Sequence, residues 1–346
     1  MRHLVAALVT AVAGLTMAAV LLSCGGADES PPSHWEQTVT VAPTVTAAPP
    51  AQTPEPRKEF RVAFINLALY SPLTSDPGNA AAGETFDERL SMLIAELKAF
   101  EPDIVGFNEA SWTKEHGAAA SRLGKELGME FITFRANPWF PNQNKEQSDA
   151  YVKQLGFEES ELILVRSDRY SIVGEKKGQY VLELRTSEQG ERRVALHVVV
   201  KGPPTVGEID IYITHLTGGG DRVRRVQAAD FANWVAKTRG DGPTIAMVGQ
   251  SDPSGASTYE FYSAIGLKDV AGDEPIVTCC RESVVGDQPP MTARSDYLMS
   301  DGWTPSSWQL FGNVPGVRAD GTTLYASDHD GLMAVFPIPG EQPVDP

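Results

Sequence analysis

The sequence predicts an α+β fold, a four-layer sandwich in which two mostly antiparallel sheets pack face to face with helices outside. Three observations predict it. From Phe60 onward, short apolar runs alternate with polar amphipathic stretches. Four β-rich runs, 161–166, 179–184, 193–200 and 209–216, follow one another with turn signals and little helix between them, as hairpin-linked antiparallel strands do. Two longer stretches, 86–100 and 224–237, carry apolar residues at helical spacing.

In chain order, Arg61-Val-Ala-Phe-Ile-Asn66 reads as a buried strand because its apolar residues are consecutive. Leu90, Leu93, Ile94 and Leu97 give the 86–100 helix its apolar stripe, and Pro102 closes it. Asp103-Ile-Val-Gly-Phe-Asn-Glu109 is the next strand and ends in a carboxylate. The segment 135–151 reads as a long polar insertion with Trp139 and Phe140 near its start, an aromatic pair suited to stacking bases, entering lipid or ordinary packing. After the four β-rich runs, Val226, Phe231, Trp234 and Val235 form the stripe of the 224–237 helix. Thr244-Ile-Ala-Met-Val-Gly249 is a fully apolar strand that breaks at a glycine, and 296–299 and 332–336 complete the set. The folding domain is expected over 59–339, with 340–346 as a tail and no internal repeat.

The N-terminus reads as an address. Met1-Arg-His is followed by an apolar run from Leu4 to Leu22, cut short by Ser23-Cys24-Gly25-Gly26. That is the layout of an export signal, and Leu21-Leu22-Ser23-Cys24 resembles a bacterial lipobox, in which the cysteine is acylated and becomes the first mature residue. Residues 1–23 are therefore expected to be a lipoprotein signal peptide. Residues 24–58, rich in Pro, Thr and Ala, cannot bury enough apolar surface to fold and read as a tether. The expected product is an exported monomer held at the cell membrane by lipid on Cys24.

The net charge of −16 makes the average surface repel polyanions and argues against tight binding of nucleic acid through a broad basic face. Arg222, Arg224 and Arg225 form the one local basic cluster of note, read as a solvated helix face in preference to a phosphate grip. Cys279 and Cys280 are adjacent, with α-carbons about 3.8 Å apart across a trans peptide, too close for an ordinary disulfide. They are expected to be unpaired and to lack metal-ligating partners nearby in sequence.

Five segments set acids, amides or histidines at or just beyond strand ends: Asn66, Glu109, His215, Gly249-Gln250-Ser251-Asp252 and Ser327-Asp328-His329. Taken singly, each is as compatible with a solvated surface group or a hydrogen-bonded core residue as with chemistry. Their order and context resemble the endonuclease/exonuclease/phosphatase, or deoxyribonuclease I-like, family from about Phe60 to Phe336. Pro102-Asp-Ile-Val-Gly-Phe-Asn-Glu109 is similar to the family's Pro-Asp-Ile-x-x-x-Gln-Glu, and Tyr325-Ala-Ser-Asp328-His329 to its closing Ser-Asp-His. Thr214-His215-Leu216 resembles its Thr-His-Leu strand, and Arg294-Ser-Asp296-Tyr297 its Arg-x-Asp-Tyr. The run from Glu159 to Arg166 resembles the strand whose Glu pairs with the first histidine.

The resemblance implies a metal-dependent phosphoesterase. Mg²⁺ or Mn²⁺ would be held by Glu109 with Asn66, and His215 and His329 would bracket the scissile phosphate. Glu159, with Glu161 as fallback, would orient His215, while Asp296 would orient His329. Asp328 would assist the metal or polarise the attacking water. The substrate could be nucleic acid, a phospholipid headgroup or a small phosphoester, since the fold hosts all three. The chain departs from the family at Gln250, where Gly-Asp-x-Asn is usual. Either Asp252, two residues on, or Asp328 supplies the missing base, or the fold serves as a catalytically impaired surface binding protein.

Overall fold

The computed structural model describes residues 58–67, 77–137, 145–173, 178–182, 193–218, 220–250 and 256–339. The signal peptide, the tether, Cys24, Trp139, Phe140, Ser251 and Asp252 lie outside them. Among the described residues, no helix is long and apolar enough to cross a membrane.

Two seven-stranded sheets make up the domain. The first runs in the order Ser307–Phe311, Gly331–Pro337, Glu59–Asn66, Ile104–Thr113, Phe157–Val165, Glu130–Asn137, with Gly117–Ala118 beside Ile104–Thr113. The second runs Lys268–Asp269, Asp296–Asp301, Thr244–Gly249, Glu208–His215, Arg193–Lys201, Ser171–Ile172, with Gly178–Leu182 also on Arg193–Lys201. Most neighbours are antiparallel. The exceptions decide where chemistry can sit: Glu59–Asn66 is parallel to Ile104–Thr113, and Glu208–His215 is parallel to Thr244–Gly249. Parallel neighbours finish at the same sheet edge, so Asn66 lies opposite Asn108, and His215 opposite Gly249.

Strand periodicity assigns each side chain to a layer. Phe60, Val62 and Phe64 point into the space between the sheets, where they join Ile104, Ile163, Leu196, Ile211, Ile245 and Leu298. Their alternates Ala63 and Ile65 face outward and pack on Leu90, Leu93 and Leu97 of the helix Phe86–Phe100. On the far side, Tyr212, Ala246 and Val248 receive Phe231 and Val235 of the helix Asp221–Thr238. The result is helix, sheet, sheet, helix. Each fully buried Leu, Ile or Phe in these layers contributes about 1.5–3 kcal/mol of transfer free energy, which fixes the layering.

Three expectations are corrected. The run 161–166 does not form a hairpin with the strands that follow: Phe157–Val165 lies in the first sheet between Ile104–Thr113 and Glu130–Asn137. The reason is that both of its faces are apolar, Ile163 and Val165 toward the inter-sheet core and Leu162 and Leu164 toward the helices, so it takes an interior position. Val226 is exposed, and the buried stripe of its helix runs instead through Arg224, Gln227, Ala228, Phe231 and Val235. Of the polar insertion, Arg135 belongs to the strand Glu130–Asn137, and 145–151 to the helix Lys145–Leu155.

Candidate active site

At the shared edge of the sheets, Asn66 closes the opening strand and Glu109 sits on a bulge in the next, where the register shifts between Phe107 and Ala110. Glu109 has φ 54°, a left-handed conformation that a non-glycine residue adopts at a cost of roughly 1–2 kcal/mol. The bulge turns its carboxylate out of the strand's regular alternation. There Asn66 Nδ2 donates to Glu109 Oε1 at 3.0 Å.

The first sheet is tied to the second directly beneath. Buried Asn108 donates through Nδ2 to Glu161 Oε2 and, at 3.3 Å, to the Thr214 carbonyl next to His215. Gly249 is required at this crossing: a Cβ on it would collide with Asn108 Oδ1 and lie 3.1 Å from His215 Cδ2. Gly249→Ala is expected to cost about 1–3 kcal/mol in a urea melt.

Glu161 is fully buried, and burial pushes its carboxyl well above the ordinary carboxylate range, with the neighbouring Glu159 charge adding to the shift. A raised carboxyl stabilises the fold most below the unfolded value and loses that contribution as pH rises through the folded one. Urea midpoints of the wild type are therefore expected to fall between pH 5 and pH 8 more steeply than those of Glu161→Gln. Equal slopes would remove this assignment.

His215 is buried; at its Nδ1 stand Arg193 Nη1 at 3.0 Å and Glu109 Oε1 at 3.8 Å, and the same Arg193 nitrogen lies 3.7 Å from Glu159 Oε1. Arg193, which the sequence reading did not single out, touches both Glu159 and His215. Burial, the Arg193 charge and His329 together hold His215 well below the usual histidine range. Arginine can only donate, so Nδ1 accepts and the proton of the neutral ring resides on Nε2.

His329 is tuned the opposite way. Its Nδ1 is 2.7 Å from Asp296 Oδ2, and Nε2 is 3.9 Å from Asp328 Oδ1. Burial lowers its basicity, but Asp296 and Asp328 outweigh burial and push it up to about 10. Asp296 is placed by register, opposite Gly249 at the start of its strand. Ser327 Oγ donates to the Asn66 carbonyl at 2.6 Å and accepts from His329 N at 3.1 Å, tying the closing loop to the opening strand. Arg281 anchors the same loop, with Nη1 on the Ser327 carbonyl at 3.1 Å and Nη2 on Asp330 Oδ1 at 2.5 Å.

Gln250 is buried; its backbone N–H bonds the Ser295 carbonyl at 2.9 Å, and its Oε1 accepts from Thr258 Oγ1. Its Nε2 is buried with no hydrogen-bond partner among the described residues. The basic cluster is split: Arg224 is buried, ion-paired with Asp221 and 3.3 Å from the Thr217 carbonyl, while Arg225 pairs with Glu260. Arg224 therefore braces the loop after His215. Cys279 and Cys280, expected to be unpaired, are joined by a disulfide across a cis peptide. The partner missing from their own neighbourhood arrives from a distant loop, with His329 Nε2 lying 3.5 Å from Cys280 Sγ.

Two helix-backed mixed sheets with an acid–amide pair and two histidines at their common edge define the fold class: it is that of the endonuclease/exonuclease/phosphatase proteins. A protein of that family from Bacteroides thetaiotaomicron aligns over 82% of this chain and 98% of its own, at 15% identity and a TM-score of 0.61. A mannosyl-6-phosphatase from the same organism aligns over 80% and 98%, at 17% identity and a TM-score of 0.60. The catalytic domain of human Nocturnin, solved with bound sulfate, aligns over 82% and 94%, at 18% identity and a TM-score of 0.56. These likenesses are of fold. No protein-family profile matches the chain, and no curated protein does.

Proposed function

We propose that this chain is a divalent-metal-dependent phosphoesterase of the endonuclease/exonuclease/phosphatase family. The observation that carries the reading is the meeting of the acid–amide pair Glu109 and Asn66 with two histidines, His215 with Nδ1 3.8 Å from Glu109 and His329 bonded to Asp296 at 2.7 Å. The donor set fits Mg²⁺ or Mn²⁺: hard carboxylate and amide oxygens, few in number, leave room for the waters such a cation keeps. Glu109 would hold it with Asn66, and Asp328 stands at the same loop as His329. When bound, it would supply positive charge to a phosphate oxygen.

The chain's own groups do the rest. His215, neutral with its proton on Nε2, donates a hydrogen bond to a non-bridging phosphate oxygen. His329, an imidazolium below about pH 10, offsets charge developing on phosphorus and can give its Nε2 proton to the departing oxygen. Asp296 holds that imidazolium's orientation through Nδ1. Asp328, part-exposed beside it, orients the attacking water, and Asp252 is the other acid proposed for that role. Gln250, a neutral amide where the family usually has an Asp, can donate through Nε2 but cannot act as a base.

The substrate is a phosphodiester or phosphomonoester, with the chain anchored outside the cytoplasm by lipid on Cys24 and acting as a monomer. The chain's acidity favours small or membrane-borne phosphoesters over extended nucleic acid. The test is hydrolysis by the full-length chain with Mg²⁺ or Mn²⁺ of plasmid DNA, RNA, sphingomyelin and simple phosphate mono- and diesters, with His329→Ala as control. Metal-dependent turnover lost in the control supports the reading and names the substrate class. A catalytically impaired binding protein is the second reading, and the neutral Gln250 favours it. Phosphoester binding without turnover, with hydrolysis appearing only in Gln250→Asp, would establish it.

A further inference from the structure

The Cys279–Cys280 pair lies beside His329, where hydrolysis has no need of sulfur. Cys279 is buried, Cys280 is exposed, and donor atoms of Cys279, Cys280 and His329 all lie within 4.8 Å of one another. A tetrahedral cation about 2.3 Å from sulfur and about 2.0–2.1 Å from nitrogen sets those two donors roughly 3.5 Å apart. Cys280 Sγ and His329 Nε2 are 3.5 Å apart already. The Asp296 carboxylate at Nδ1 is the partner that metal-binding histidines have, and it leaves Nε2 as the coordinating atom.

The backbone around the sulfurs is fixed to the same loops. Arg281 N bonds the Asp328 carbonyl at 2.9 Å, and Asp330 N bonds the Thr278 carbonyl at 2.9 Å. Ser295 N and Asp296 N both donate to Thr278 Oγ1 at 3.1 Å. With the segment held on both sides, the sulfurs stay beside His329 whether or not they are bonded to each other.

We propose that Cys279, Cys280 and His329 form a site for a thiophilic divalent cation of the zinc group, open only when the disulfide is reduced, whose occupation blocks phosphoester hydrolysis. The reductant is a phosphine or a dithiol. With a phosphine, the S–S bond breaks, phosphorus takes an oxygen from water, and the water's two protons end on two thiols. The cation then displaces both thiol protons and the proton on His329 Nε2, forming two metal–sulfur bonds and one metal–nitrogen bond. Thiolates and imidazole select Zn²⁺ or Cd²⁺, whereas the oxygens of Glu109 and Asn66 suit Mg²⁺, so the two sites take different ions. The blocking step rests on the phosphoesterase reading; the binding step does not.

The test uses the full-length chain with Cys24→Ser, which leaves Cys279 and Cys280 as its only cysteines, reduced with a phosphine, freed of it under inert gas and titrated with Cd²⁺. An ultraviolet sulfur-to-cadmium absorption band is expected that saturates at one Cd²⁺ per chain. It should be absent from unreduced protein and from Cys280→Ser, with Cys280→Ala as a second variant should serine disturb the fold. His329→Gln should need at least about tenfold more Cd²⁺ to reach half-saturation. In the same samples, one equivalent of Cd²⁺ should cut Mg²⁺-dependent turnover of the reduced protein at least about tenfold and leave that of the unreduced protein unchanged. No band in the reduced protein overturns the site, as does a band that His329→Gln forms equally well. Bound Cd²⁺ with undiminished turnover overturns the block. A saturating band in a protein that hydrolyses nothing keeps the site and refutes the phosphoesterase reading, so the two failures are distinguishable.

Discussion

Glu109→Gln is expected to lower metal-dependent hydrolysis at least about a hundredfold while leaving the unfolding midpoint within about 0.5 kcal/mol of wild type. Glutamine has the same length, so Oε1 can still accept from Asn66 Nδ2, which lies 3.0 Å away, and the left-handed backbone at the bulge is undisturbed. What disappears is the negative charge, and with it the strongest attraction for a divalent cation at this edge. Raising Mg²⁺ should recover part of the lost rate, because the loss is one of binding. A variant that turns over like wild type at low Mg²⁺ would remove Glu109 from the site. Isothermal titration with Mn²⁺ provides a readout independent of turnover.

His329→Gln is the second large effect, an expected fall in kcat of about 10²–10⁴-fold, the range for losing a positioned proton donor. The imidazolium is held by Asp296 at 2.7 Å and pushed up to about 10 against the opposing effect of burial. Activity that depends on this protonated form should fall as pH rises through that value. In Asp296→Asn the principal support of the charge is gone, so the alkaline limb should move to lower pH, toward the histidine range. A merely structural role for Asp296 would lower the rate without moving the limb. The loss in His329→Gln should also shrink for a phosphoester with a good leaving group, such as p-nitrophenolate, since that oxygen departs without a proton. An equal loss on good and poor leaving groups would confine His329 to stabilising charge on phosphorus.

Much of the candidate site was legible in the sequence because its residues lie at strand ends, and strand ends are marked locally. The apolar run before Asn66 and the run before Glu109 both stop at a polar residue, and Gly249 breaks the apolar strand that leads to Gln250. Parallel pairing then brings those ends to one edge. The pairing of Asp296 with His329 followed from the resemblance and is met at hydrogen-bond distance.

Arg193 was not legible. It opens a β-rich run like any other first residue, and nothing nearby marks it. It reaches His215 because the antiparallel register sets Ala195 against Thr214, which carries the residue two places earlier past the end of the His215 strand. The same holds for Arg281 and the two cysteines, whose sequence neighbours offer them no partner. Their partners, Ser327, His329 and Asp330, arrive from a loop roughly fifty residues on.

The sequence alone therefore determined the layers, through the period of its apolar residues, and the identity of the groups at the open edge. Local chemistry sets both: a strand's buried face and its stopping point depend on residues a few positions apart. Only the tertiary structure decided the charge state of each histidine, since that depends on which distant group stands at Nδ1. Burial together with Arg193 holds His215 below the usual histidine range, while Asp296 and Asp328 push His329 above it against burial. Two histidines that read alike in the chain are given different protons by partners that no local pattern encodes.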